Sequence, residues 1–236
     1  MMRKRDRIGL NIAPLFLRVM LAVVFIWAGL GKVSATMPVS GEDAAILAKL
    51  GVVSPAPTTA AKPEQAGGSP ETATAASAAG TPVSVLRLYG LAVMIHRASH
   101  PEASAGGGAA PAPIWPLALG EGQWPVYLAW AVALSELIGG IAILLGLFTR
   151  LMALVVSGVM LGAMWLTQFG PAIQSGQATL GFLPSLPAFD PGWQTLMFQF
   201  ALLAAAMALA FCGPGRLSLD SAILGGARDG NDDDDE

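Results

Sequence analysis

The run Glu136-Leu-Ile-Gly-Gly-Ile-Ala-Ile-Leu-Leu-Gly-Leu-Phe-Thr-Arg150 sets one carboxylate and two adjacent glycines inside a stretch apolar enough to cross a bilayer. That stretch covers 125–148, and its 24 residues at about 1.5 Å each exceed the roughly 30 Å of hydrocarbon, so Glu136 falls near mid-depth. A charge there is costly unless it is paired or protonated. Glu136 is therefore a site by default: a proton carrier, a ligand-facing group, or one half of a buried ion pair.

Projection at about 100° per residue brings Arg18, Ala22, Phe25, Gly29 and Lys32 of the first apolar segment into one band. On the second segment Glu136, Gly140, Ile143 and Arg150 fall together, with Gly139 at the edge. Glycines beside a carboxylate let another backbone approach closely, so the two faces are expected to meet. Lys32, about two turns shallower than Glu136, is the expected partner. Arg18 is expected to snorkel toward the cytoplasm. Trp165, Gln168, Gln194 and Gln199 add polar groups to the third and fourth apolar segments, toward an expected polar cavity in the outer half. The candidate proton or quinone group is thus Glu136, and the candidate cofactor-facing set is Arg18, Trp27, Lys32, Glu136 and Gln168.

Other chemistry lacks its residues. A b-type haem takes axial histidines from spans, and the only two histidines, His96 and His100, lie in the loop after the first span. Their i, i+4 spacing suits a metal, but Pro101 follows at once and no third ligand is evident nearby beyond Glu102, so they read as a solvated loop pair and no metal is assigned. The single cysteine, Cys212, makes neither a dithiol nor an internal disulfide and reads as packing. Dinucleotide, phosphate-loop and nucleophile-elbow motifs are missing, and the scattered bases do not suggest nucleic acid. No cofactor is expected to be held by this chain alone, with a quinone as the candidate ligand.

The elements that must position these residues follow from composition. With 54% hydrophobic and 12% charged residues in 236, and a mean hydropathy of +0.59, the chain reads as an integral membrane protein. An all-α, four-transmembrane-helix bundle is expected, with spans at 14–35, 125–148, 151–169 and 193–212. A basic N-terminus covers 1–13, a long external loop 36–124, a second external loop 170–192 and an acidic tail 213–236. Eight bases (Arg3, Lys4, Arg5, Arg7, Arg18, Arg150, Arg216, Arg228) fall on the N-terminal side and five (Lys32, Lys49, Lys62, Arg87, Arg97) on the other, so both termini are expected in the cytoplasm. Val33-Ser34-Ala35 would make a passable signal cleavage site, but the apolar run is long for a signal and the first span is expected to be retained.

Within the long loop, Pro-, Ala-, Ser- and Gly-rich 54–81 and 103–113 are expected to be disordered. A short interfacial helix is expected near 83–95 and another near 44–53. Trp115, Trp124, Tyr127, Trp130 and Trp193 mark the outer boundary. The formal charge of −3 hides a positive body, because six acids lie in the terminal run Asp229-Gly-Asn-Asp-Asp-Asp-Asp-Glu236 and thirteen bases minus the other ten acids leave +3. Gly158-Val-Met-Leu-Gly162 suggests close helix packing.

Leu17-Arg18, Val23-Val-Phe-Ile-Trp-Ala-Gly-Leu-Gly-Lys32, Glu136-Leu-Ile-Gly-Gly and Leu145-Gly-Leu-Phe-Thr-Arg150 together resemble the DoxX family of four-helix bacterial membrane proteins, related to the DoxD subunit of thiosulfate:quinone oxidoreductase. The resemblance covers the first three spans and, by position, the fourth. It implies a multi-pass inner-membrane protein associated with redox or sulfur metabolism, alongside a soluble oxidoreductase partner. The long loop and acidic tail depart from the compact family pattern, and there the resemblance is silent. Three readings stay open: a membrane subunit of a quinone-linked oxidoreductase, a non-catalytic scaffold that recruits a soluble partner, and a small transporter. The lipid bilayer is the certain partner, and a homo-oligomer is compatible with all three.

Overall fold

The computed structural model describes residues 4–53, 82–102, 110–176, 178–187, 190–215 and 217–221, with the side chains of 4–11 outside the description. The linkers expected to be disordered fall largely outside these residues, as does most of the acidic tail. The described chain is mainly helical. Four helices are long and apolar enough to cross a membrane: Ile12–Ser34, Trp124–Leu145, Thr149–Gln174 and Pro191–Cys212. Two compact units are formed, one by Met1–Gly31 with Ala131–Glu236 and the other by Lys32–Trp130.

The first unit is the helical bundle. Helix α1 (Lys4–Ser34) contributes most of its length, and α4 (Trp124–Leu145) enters the unit at Ala131. Helix α5 (Thr149–Met164) continues through a π-helical turn at Trp165–Phe169 into a short helix, Gly170–Gln174, so this span is longer than the expected 151–169. Where 170–192 was expected to be loop, that helix and the two-residue strands Ala178–Thr179 and Leu183–Pro184 appear. Helix α6 (Pro191–Cys212) packs along α5. Its start follows from Asp190, whose carboxylate accepts the Gly192 N–H at 2.7 Å, with Pro191 at the first helical position.

Leu21, Phe25, Ile143, Val156, Leu202 and Leu209 make the bundle's core, with Ala153 and Ala206 between them. Lipid is as apolar as leucine, so burial of these side chains drives association weakly and close backbone contact must contribute. Glycine supplies it. A Cβ on Gly29 would lie 2.7 Å from the Leu137 backbone nitrogen, and one on Gly140 would lie 3.0 Å from that of Ile26. The first and second spans thus meet on the expected faces. Gly158 and Gly162 do not act this way, since a Cβ on either meets nothing within 4 Å. Large apolar side chains such as Val23, Ile138, Leu154 and Phe198 stay exposed, as lipid-facing positions do.

The second unit replaces the expected loop with a small folded module. Strand β1 (Thr36–Val39) pairs antiparallel with β2 (Val83–Leu86), Thr36 opposite Leu86 and Val39 opposite Val83. The segment read as the start of an interfacial helix is therefore a strand, as alternating Val83 and Val85 favour. Helix α2 (Gly41–Lys49) and α3 (Tyr89–Ser99) follow their strands, each displaced from its expected bounds. Ile46, Leu47, Leu50, Val85, Leu88, Ala92 and Ile95 are buried. Arg97 joins the two helices through Glu42 at 3.1 Å and Asp43 at 2.9 Å, half-exposed contacts worth under about 1 kcal/mol.

Candidate functional site

Glu136 is 2% exposed within the bundle. It lies on α4 with Ala133, Gly140 and Ile143, all buried, in the same turn as the Gly29–Leu137 crossing and about one turn from the point where Phe25 and Ile26 press on Gly140. Gly139 meets the Val156 side chain at 3.1 Å from its virtual Cβ, which seats the same turn of α4 against α5. The carboxylate is thus held where two helices approach α4 most closely. In mid-helix the backbone N–H groups are already bonded within the helix, so none is available to solvate a carboxylate.

Arg18 does not snorkel. It is 3% exposed, and its guanidinium is distributed over four carbonyl oxygens. Nε donates to Ile143 O at 2.8 Å and Nη2 to Leu144 O at 2.6 Å, while Nη1 donates to Leu217 O at 2.5 Å and Pro214 O at 3.3 Å. The first pair belongs to the last turn of α4, where carbonyls lack helical partners, and the second to the segment after α6. One side chain of the first helix therefore caps the end of α4 and holds the segment that follows α6.

The turn between α4 and α5 is built around the same contact. Gly146, at φ +72°, closes α4 with two bonds, Leu147 N–H to Ala142 O at 2.9 Å and Gly146 N–H to Ile143 O at 3.1 Å. A Cβ on it would lie 2.6 Å from Arg18 Nη2 and 2.5 Å from the Ser218 side chain, so glycine is required by conformation and by space. Phe148 stands at φ +47°, a conformation that costs a bulky residue about 1–2 kcal/mol. Asp220 holds it there. Its carboxylate accepts the Phe148 and Thr149 N–H groups at 2.8 Å each, and its own N–H donates to Gly146 O at 2.9 Å. Burial opposes the charged form of Asp220, but these two N–H donors and the Arg18 charge outweigh it and hold the carboxyl below its ordinary value.

Arg150 belongs to α5, beyond the break at Gly146, and does not continue the Glu136 band. It is exposed, and its guanidinium lies over Gly213 at the end of α6. Cys212 beside it is exposed rather than packed. Trp27 is 79% exposed, on the side of α1 away from the bundle's core. Gln168 sits in the π-helical turn, a feature that recurs at functional sites. In that turn Thr167 Oγ1 donates to Ala163 O at 2.8 Å and accepts from Gln199 Nε2 of α6 at 3.3 Å. Lys32 opens the second unit, where its carbonyl accepts the Leu88 N–H at 3.1 Å.

His96 and His100 are not a solvated loop pair. They close α3, half-buried, with rings stacked 4.7 Å apart. Ser99 between them is fully buried against Gly120, where a Cβ would lie 1.6 Å from the Ser99 hydroxyl oxygen. The sequence signals were the i, i+4 spacing and the Gly120-Glu121 turn before the second span, which spacing alone did not connect. Asp220 was missed entirely, because a lone acid ahead of an acidic tail carries no pattern.

Four spanning helices and a buried mid-helix carboxylate define a multi-pass helical membrane protein. The DoxX family model matches residues 83–168, which is 86 of the 236 residues. Residues 83–168 are thus similar to the DoxX family, within a multi-pass membrane protein. The match includes Glu136, Arg150 and Gln168, and it begins well before the second span, so the later part of the long loop is not silent as expected. It does not extend to Arg18 or Lys32 in the first span. Comparison with curated proteins and with solved structures returns no match.

Proposed function

We propose that this chain is a bacterial inner-membrane subunit of a quinone-linked redox system, related to the DoxD type, with both termini in the cytoplasm and the redox cofactor carried by a partner. The observation that carries this reading is Glu136, the one buried acid among the described residues, in mid-span where glycines bring two other helices close. Arg18 and Asp220 hold helix ends and the turn between α4 and α5. Its carboxylate would take up or release the proton that accompanies quinone reduction, with Gln168 as a further polar group toward the ligand.

The test is purification from native membranes in lipid nanodiscs, followed by substrate-dependent reduction of a short-chain quinone. Glu136→Gln is expected to abolish that activity while the complex stays assembled. Unchanged turnover in Glu136→Gln overturns the assignment of the residue. Absence of any cofactor-bearing partner favours the scaffold, and uptake by reconstituted vesicles favours the transporter.

A further inference from the structure

Between α5 and α6 the chain folds back in a hairpin, with the strand Ala178–Thr179 antiparallel to Leu183–Pro184. Its tip carries an outlier. Leu180 stands at φ +55° and Gly181 at φ +84°, and the Phe182 N–H donates to Thr179 O at 3.4 Å across the turn. Glycine takes this conformation freely, whereas a bulky side chain is strained in it. The Leu180 side chain gains little from its own fold in return, being 80% exposed, and Phe182 beside it is 48% exposed. A strained apolar residue that the fold leaves uncovered points to something it meets outside the chain.

Depth, charge and a neighbouring tryptophan all identify that something as lipid. Phe182 packs edge-on against Phe169 of the π-helical turn, with ring centres 5.7 Å apart, and the strand Leu183–Pro184 packs on the same turn. At about 1.5 Å per residue, Phe169 lies about 30 Å along its span from Thr149, which is the thickness of the bilayer's hydrocarbon. The helix runs on to Gln174, so the hairpin returns from there to the hydrocarbon's edge. Residues 151–189 contain no Asp, Glu, Lys, Arg or His, and nothing charged holds the hairpin in water. The charge that follows, Asp190, is used on the Gly192 N–H at the start of α6. Trp193 ties the same level together, its indole N–H donating to Leu186 O at 3.3 Å, and tryptophan is the ring that settles among headgroups.

We propose that the hairpin tip is a lipid-binding element, in which Leu180 and Phe182 insert at the boundary between headgroups and acyl chains of the leaflet at this end of the bundle. That depth suits the backbone as well as the side chains. At the boundary the free N–H and C=O groups of a tight turn still reach headgroups and water, which the hydrocarbon centre would deny them. The apolar side chains meanwhile meet acyl chains, as the exposed Met197, Phe198 and Phe200 of α6 do.

The test uses the full, unaltered chain in phosphatidylcholine vesicles that include a phosphatidylcholine with a diazirine on its acyl chain, close to the headgroup. After irradiation, adducts mapped by mass spectrometry are expected on 178–186 as well as on 197–200, the lipid-facing reference. Leu180→Asp should remove most adducts from 178–186 and leave those on 197–200, because aspartate tolerates a left-handed backbone better than leucine but draws the tip toward water. A spin label on Leu180→Cys, in a chain that also carries Cys212→Ser, should collide more with oxygen than with a water-soluble nickel chelate, and a label on Asp232→Cys should do the reverse. The proposal is overturned by adducts confined to 197–200, or by adducts on 178–186 that survive Leu180→Asp undiminished. It is equally overturned by a label at position 180 that nickel reaches freely, which makes the loop aqueous, or by one that neither reagent reaches, which puts a second copy or another protein on the tip.

Discussion

Arg18 and Glu136 are both buried to within a few per cent in the same bundle, but they stand against different parts of it. Arg18 stands at helix ends, where backbone carbonyls lack partners, and four of them accept from it. Glu136 stands in mid-helix, where the backbone has no donors to spare. A buried cation that faces the unpaired carbonyls at another helix's end is therefore a structural part. Charge and depth alone do not separate the two; the backbone that each side chain faces does.

Arg18→Met should have the largest effect. It strands carbonyls at the end of α4 and in the segment after α6 together, at about 3–5 kcal/mol, and should appear as loss of folded protein in detergent melts with Arg18→Lys recovering only part. Recovery of full stability by lysine would show that the four-carbonyl geometry is not what matters. Glu136→Gln sharpens the other side. If the carboxylate is one half of a buried ion pair, the single change should cost about 3 kcal/mol. If it serves a quinone or proton path, melting should stay within about 2 °C while partner activity disappears. An effect on neither stability nor activity would remove Glu136 from the comparison altogether.

Asp220→Asn should cost less, about 1 kcal/mol, since one amide oxygen still accepts at the start of α5 but the charge is gone. Because its folded carboxyl is held below the ordinary value, its contribution is complete above the unfolded carboxylate range and is lost as pH falls through the lowered value. The acid limb of a melting profile should therefore flatten in Asp220→Asn. Deleting 54–81 should change melting least of all, because that composition has little apolar surface to bury; loss of folded protein on deletion would show that it packs.

The four spans were legible because length and hydropathy are local properties of the sequence, and the Gly29 and Gly140 crossings because glycine beside a shared polar face has a period. The Arg18 contacts were not legible. They join residues separated by up to 199 positions through backbone carbonyls, which have no side-chain signature. The second unit was hidden for a related reason. Its strand pairing links Thr36–Val39 to Val83–Leu86 across a long linker, and each four-residue strand is too short to show a period. His96 and His100 were noticed, but the Gly120 carbonyl beside His96 comes from tertiary contact.

The reach of Arg18 also sets an order of assembly. As the chain is made, the first helix enters the membrane with a guanidinium whose acceptors do not yet exist. Ile143 and Leu144 arrive with the second span, and Pro214 and Leu217 only after the fourth. A three-span precursor thus carries a half-capped arginine, and its last helix closes the bundle the way a buckle closes a strap. A chain cut before Leu217 loses the closure even though all four spans remain, whereas one cut after Ser221 keeps every contact of Arg18 and Asp220 described above.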